Sequence, residues 1–260
     1  MAGILFNDII FGPIRSRRLG NSLGINLLPK NNKVCTFNCV YCECGWGDKS
    51  NIQTVNFHPA SIIIPVISET MKRMAEQKNT IDSITFSGNG EPTMHPEFET
   101  ITDAIIELRN RYYPDTIISC LSNSTQLHRS DVVAALKKIE NPLMKLDTGI
   151  QETFLLINKP YLDLNINTVC KQLLQFSGKL TIQTMFLRGE LEEGDYIDNT
   201  TEIEVNAWIE RLNYIRPHTV MIYPIDRETP ASNLQKIDIK TLESIAAKVR
   251  KTGIKTLTYA

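Results

Sequence analysis

The sequence predicts an α/β protein built on a mainly parallel sheet. Segments with the alternation or apolar run of a strand recur through the chain, separated by helical stretches of roughly 10 to 18 residues, the pattern of βαβ units. The 260 residues, 42% hydrophobic and 22% charged, are enough for a buried core and close to ordinary soluble composition. No composition break or low-complexity segment marks a domain boundary. The chain is therefore read as one domain, 1–260, with 1–22 as an N-terminal loop extension and 226–260 as a C-terminal helix and candidate closing strand.

The elements follow in order. Phe11 to Gly20 is punctuated by Gly and Pro and reads as a loop. Ser22 to Leu28 reads as a strand ended by Pro29. After a polar connector, Pro59 fits the first turn of a helix reaching about Gln77, with Ile62, Val66, Ile67, Met71 and Met74 as its apolar face. Ile81 to Phe86 alternates as a strand, Ser87 to Pro92 is a turn-rich loop, and Pro96 to Tyr113 is a helix carrying Phe98, Ile101, Ile105 and Leu108. Thr116 to Ser122 is a strand, and Ser130 to Lys138 a helix that Ser130 is expected to cap. Leu143 to Asp147 is a strand, followed by a long connector and a helix near Asn167 to Phe176. Lys179 to Leu187, Glu202 to Ile215, Val220 to Tyr223, Asp238 to Thr252 and Ile254 to Tyr259 complete the alternation as strand, helix, strand, helix and candidate closing strand. Six βα units result.

Charge and composition exclude several classes. The net charge of −1 offers no global basic field for nucleic acid, although a local patch is compatible with it. Met1 to Asp8 lacks a basic stretch before an apolar run, so no signal peptide is expected. The apolar run around Ile62 to Ile67 contains Pro65 and is far too short to span a bilayer. Six cysteines, three of them clustered, suit reduced thiols in the cytoplasm better than a disulfide framework.

The clustered thiols are Cys35, Cys39 and Cys42, close enough for one short loop to wrap a metal centre. Thiolates suit zinc or iron–sulfur clusters. A closed zinc site wants a fourth ligand, usually from a second Cys/His pair, and none follows downstream. Three ligands on a four-iron cluster leave one iron open for chemistry. Ligands of parallel sheets gather at the C-terminal strand ends. The cysteine loop follows the first predicted strand, and Gly88-Asn-Gly-Glu-Pro92 follows the second, its glycines allowing close backbone approach.

The C-x3-C-x2-C trio with Tyr41, the Gly88 to Pro92 loop and the six βα units together resemble the radical S-adenosylmethionine (SAM) superfamily over roughly residues 20 to 225. The resemblance implies a partial (βα)6 barrel and a [4Fe-4S] cluster on Cys35, Cys39 and Cys42. It further implies SAM bound at the open iron and an electron donor such as flavodoxin or ferredoxin. One electron then cleaves SAM to methionine and a 5′-deoxyadenosyl radical. Gly88, Asn89, Gly90, Glu91 and Pro92 stand where the family holds the methionine amino group, with Asn89 as a departure from its Gly-Gly-Glu-Pro form. The phrase Phe11-Gly-Pro-Ile-Arg-Ser-Arg-Arg-Leu-Gly20 is similar to a subgroup related to wyosine-type tRNA synthases, which implies a tRNA base or nucleotide as substrate. Those enzymes carry further N-terminal cysteines, and none precedes Cys35.

Other candidates are placed with alternatives standing. Tyr41 is expected to stack near adenine or to pack its own loop. Ser122 and Asn123 end a strand and suit SAM's carboxylate or ribose, or plain turn chemistry. Lys145 and Asp147 share a strand face by its period of two and are the catalytic candidates, with Gln183 beside them. Tyr223 ends the sixth strand, where the family lets backbone touch adenine. Residues 9–42 hold Arg15, Arg17, Arg18, Lys30 and Lys33 and no carboxylate. Its three arginines are either a solvated turn or a charge facing an anionic cluster, cofactor or substrate. Cys44 is a spare ligand, a hydrogen-transfer thiol or incidental. Residues 189–204 hold seven acids and no base and read as a solvated loop, or else as a lid or docking surface. Competing functions are a non-catalytic zinc or iron–sulfur module using Cys44 as fourth ligand, a peptide- or metabolite-modifying radical SAM enzyme, and a glycyl-radical activase.

Overall fold

The computed structural model describes residues 3–192 and 194–260; Met1, Ala2 and Glu193 of the acidic run lie outside the described residues. Strands β1 (Ile10–Ser16) and β2 (Gly20–Ile25) open the chain, followed by α1 (Ser50–Gln53), α2 (Ala60–Glu76), β3 (Ser83–Phe86) and α3 (Phe98–Tyr112). Next come β4 (Ile117–Ser122), α4 (Ser130–Lys138), β5 (Asn141–Lys145), α5 (Gln151–Asn158), α6 (Ile166–Leu173) and β6 (Thr181–Glu190). The last are β7 (Tyr196–Asp198), α7 (Glu202–Ile215), β8 (Thr219–Pro224), β9 (Leu234–Lys236), α8 (Ile239–Arg250) and β10 (Lys255–Thr258). None of the helices is long and apolar enough to cross a membrane among the described residues.

The sheet runs β1-β2-β3-β4-β5-β6-β8-β10. From β2 onward every neighbour along this path is parallel, and β1 lies antiparallel on β2. The expected partial barrel is present as an open, barrel-like sheet. The candidate closing strand forms, but it pairs with β8 and lengthens the sheet instead of closing it.

Both faces of the central strands are covered, so β3 and β8 are buried along their whole length. Phe86 points outward onto Phe98 of α3, with ring centroids 5.2 Å apart. The opposite face carries a chain of hydroxyls: Ser22 with Thr85 at 2.7 Å, and Ser83 with Ser119 at 2.9 Å. These buried polar atoms satisfy one another, which keeps an inner layer polar without exposing it. The outer layer is apolar, and α2 buries Ala60, Ile63, Ile67, Met71 and Met74 against it. Ile62 and Val66, expected on that face, are 52% and 42% exposed, because a 3.6-residue period places them a quarter turn away.

Four further expectations are corrected. Ile10–Ser16 is a strand: a register shift between Phe11 and Ile14 absorbs Gly12 and Pro13, and Phe11 lies so close over Gly24 that a Cβ there would meet its ring at 2.2 Å. The long connector contains α5. Arg129, not Ser130, occupies the cap position of α4, and its side chain makes no cap bond. Part of the acidic run is structured: β7 pairs with the far half of β6, and Glu204 is buried, accepting from Thr148 at 2.6 Å and from Thr153.

Candidate functional site

The C-terminal ends of the parallel strands surround a cavity of about 270 Å³. Cys35, Cys39 and Cys42 all line it, in the loop that follows β2. That loop is braced by the glycine loop after β3. Val34 N–H donates to the Asn89 carbonyl at 2.8 Å, and Glu91 N–H to the Val34 carbonyl at 3.0 Å. Gly90, at φ +141°, makes this possible, since a Cβ there would stand 1.9 Å from the Val34 oxygen.

The thiols are surrounded by donors and cations. The Asn123 side-chain amide lies 3.5 Å from Cys35 Sγ, and that of Asn158 3.4 Å from Cys39 Sγ. Lys33 is buried, donating to the Gly45 carbonyl at 2.8 Å. Burial opposes its charge, but Cys42, Cys35 and Cys39 outweigh that and raise its pKa. Burial pushes the Cys35 thiol up to about 12 against the pull of Lys33, and raises Cys39 as well. A Cys44 hydrogen bond draws Cys42 down to about 5, while Cys44 itself is raised. All six cysteines are free thiols. Among the described residues no three Cys, His, Asp or Glu side chains form a single-ion site. Three soft thiol donors sharing one cavity, two of them met by side-chain amides and all three near the Lys33 ammonium, are a donor set that fits an iron–sulfur cluster.

Facing the thiols is a buried polar network on β5 and β6. Lys145 and Asp147 stand 3.6 Å apart, the lysine side chain 17% exposed and the aspartate wholly buried. Asp147 Oδ2 accepts from Tyr41 OH and from Asn158 Nδ2 at 2.8 Å, and its Oδ1 from Met185 N–H at 3.0 Å. Tyr41 in turn accepts from Lys145. Burial alone would lower the Lys145 pKa, yet the Asp147 carboxylate raises it, so the ammonium is retained. Burial and then Asp147 push the Tyr41 phenol well above its usual value. Two corrections follow. β5 ends at Lys145, so the pair forms across the strand end and not along one strand face. Lys145 lines the cavity, whereas Asp147 sits behind the wall and acts as an anchor.

The remaining predicted residues divide. Gly88, Gly90, Glu91, Ser122, Asn123, Tyr41, Gln183 and Tyr223 reach the cavity wall. Asn89 and Pro92 do not. The Asn89 amide is taken by the Phe6 and Pro29 carbonyls, each at 2.9 Å, and Pro92 begins a buried turn. Glu91 accepts from Thr93, from Ser122 Oγ at 2.9 Å and from the Asn123 N–H, while burial raises its pKa. Sequence reasoning missed Asn158, which lies in the overlooked α5. It counted Lys33 only among a group of cations, with no pattern to single it out.

The sequence profile described as the radical SAM superfamily matches residues 32–193. The chain is 26% identical over 238 residues to a GTPase Obg of Brachyspira hyodysenteriae, covering 90% of this chain and 32% of that protein. It is 30% identical over 183 residues to a UPF0026 protein of Methanocaldococcus jannaschii, covering 69% and 54% respectively. The chain thus spans about a third of one of these relatives and just over half of the other. In fold it is similar to a radical SAM methyltransferase from Sphaerobacter thermophilus, with a TM-score of 0.62 and 12% identity over 91% of this chain and 65% of that one. With three thiols gathered at the C-terminal ends of a parallel sheet, and the superfamily profile covering more than half of the chain, from the cysteine loop through β3 to β6, the chain belongs to the radical SAM superfamily.

Proposed function

We propose that the chain reductively cleaves SAM at a [4Fe-4S] cluster held by Cys35, Cys39 and Cys42, and that the 5′-deoxyadenosyl radical so formed removes a hydrogen atom from a substrate. The observation that carries this reading is the gathering of three free thiols in one cavity, with Asn123 and Asn158 amides on two of the sulfurs and the Lys33 ammonium among them. Donors and a cation of this kind stabilise anionic thiolates. Gly88, Gly90 and Glu91 edge the wall on the side expected to receive the methionine end of SAM, and Ser122 and Asn123 continue it. Tyr41, Gln183 and Tyr223 form the other side, which suits the adenosine. Lys145, held by Asp147, presents an ammonium to the substrate. The electron comes from a small carrier such as flavodoxin or ferredoxin.

For the substrate we propose a nucleotide or a tRNA base. Support comes from an outer cleft of about 300 Å³ that shares Arg17, Arg18 and Gly88 with the cavity. Arg17 and Arg227 are paired there with Asp226 and Glu43, which leaves Arg15 and Arg18 as its cations without a carboxylate partner among the described residues. A tRNA complex that weakens with salt supports this choice, and no binding at low salt removes it.

The first test is 5′-deoxyadenosine release by the anaerobically reconstituted protein given SAM and a strong reductant. Release that vanishes in Cys39→Ala, with the cluster retained in Cys44→Ala, is the expected outcome. One bound zinc and no labile sulfide overturns it.

A further inference from the structure

The charged side chains around the cavity and the outer cleft pair off almost completely. Arg17 meets Asp226 at 3.1 Å, Arg227 meets Glu43 at 2.6 Å, and Lys145 meets Asp147. Lys33 is buried among the cysteines, and Glu91 is saturated with donors. Arg15, exposed at the rim, and Arg18 are the exceptions, and of the two only Arg18 is withdrawn from solvent. It is half-buried in the wall common to both spaces. Among the described residues it has no carboxylate within ion-pair distance. Its Nη1 donates to Gln183 Oε1 at 2.8 Å, and its guanidinium lies 4.1 Å from the centre of the Tyr223 ring.

This arrangement orients the group. Gln183 is itself fixed, its amide donating to the Leu143 carbonyl at 3.1 Å and its oxygen lying 3.3 Å from Tyr223 OH. One edge of the guanidinium is thereby tied to β6 and its face rests on β8, so its remaining N–H groups are available to a ligand. A half-buried cation without an anionic partner is costly unless something supplies the charge. A planar guanidinium held on its face is suited to accept a phosphate or carboxylate through two parallel hydrogen bonds. Resting on the radical SAM reading above, we propose that Arg18 binds an anionic group of the substrate, a phosphate or a carboxylate, at the junction of cavity and cleft. Gln183 and Tyr223 are its positioning residues. SAM's own carboxylate is a poorer fit. It must reach the open iron beside the cysteines, whereas Arg18 is tied to Gln183 and Tyr223 in the wall shared with the outer cleft.

The test is arginine-specific labelling with phenylglyoxal of the anaerobically reconstituted protein, read by peptide mass mapping. Inorganic phosphate and acetate serve as probes, each with and without saturating SAM. Arg15, exposed at the rim, is the internal control. The proposal expects phosphate or acetate to slow labelling of Arg18 about tenfold while Arg15 is unaffected, and expects the protection to persist with SAM bound. Protection by phosphate alone identifies a phosphate-bearing substrate, and by acetate alone a carboxylate. Arg18→Gln should weaken binding of the protecting anion about tenfold or more, with Arg18→Lys intermediate. Protection by SAM alone, to which neither anion adds, assigns Arg18 to the cofactor and overturns the proposal; so does no protection by any probe. Labelling requires no turnover. Protection without 5′-deoxyadenosine release therefore faults the catalytic reading alone, and release without protection faults only this one.

Discussion

Replacing Asp147 with Asn tests the buried network most directly. The carboxylate meets three donors, Tyr41 OH, Asn158 Nδ2 and Met185 N–H, and the Lys145 ammonium. An amide presents one acceptor oxygen, turns an NH2 toward donors, and leaves Lys145 without a counter-charge. Removing one member of a buried pair costs about 3–5 kcal/mol, and since Lys145 retains some solvent contact the lower end, about 3 kcal/mol, applies. With a urea m-value of about 3 kcal/mol/M for a chain of this size, the unfolding midpoint should fall by about 1 M. The assay is urea unfolding of the cluster-free chain under reducing conditions at neutral pH. The double variant Lys145→Met, Asp147→Leu should recover about half of the loss, because it removes the orphaned charge but not the orphaned donors. A midpoint shift below about 0.3 M in the single variant, or no recovery in the double, would refute the claim that the pair is coupled and buried.

Gly90→Ala places a Cβ against the Val34 carbonyl at a positive φ and should cost about 3 kcal/mol. Iron and sulfide bound per chain after reconstitution should fall with it, and full loading at unchanged stability contradicts the bracing role. Lys33→Met removes the cation among the thiols, so the cluster potential should move negative by on the order of 50 mV in an EPR-monitored titration; an unmoved potential counts against it. Glu140 is a pH probe away from the site. Burial opposes its charge, but the Ile118 N–H and the Arg109 guanidinium hold its carboxyl below its ordinary 4.5. Its stabilisation is therefore fully present above pH 4.5 and is lost as pH falls through the lower folded value. Glu140→Gln should be less stable than the parent at neutral pH, with the gap narrowing in acid; a gap independent of pH refutes the assignment.

Much of this was legible because strong local signals agree with the fold. Glu202–Ile215 has the predicted bounds, and the three thiols and Gly88, Gly90 and Glu91 meet in one cavity as their places at strand ends imply. What escaped depends on contacts distant in sequence. β1 reads as a loop because Gly12 and Pro13 interrupt it, and only its pairing with β2 makes it a strand. α5 is eight residues long, too short to display a period, and it hides Asn158. Arg17 and Arg18 are neighbours of the same type, yet one is neutralised by Asp226 and the other rests on Tyr223. Asn89 reads as part of a ligand loop, but the Phe6 and Pro29 carbonyls turn its amide away.

The cysteine loop has a consequence for how the protein matures. Its three sulfurs lie within eight consecutive residues, so a short nascent peptide already contains every thiol ligand. Their surroundings come from far along the chain. Thr36 bonds Thr125 at 2.7 Å, Phe37 bridges to Pro160, and the amides at the sulfurs belong to Asn123 and Asn158. Metal captured during synthesis, before α5 has emerged, would meet a flexible thiol peptide open to water and oxygen. The nest around the sulfurs is therefore incomplete until the chain has passed Pro160, and loading is expected to follow the folding of that segment.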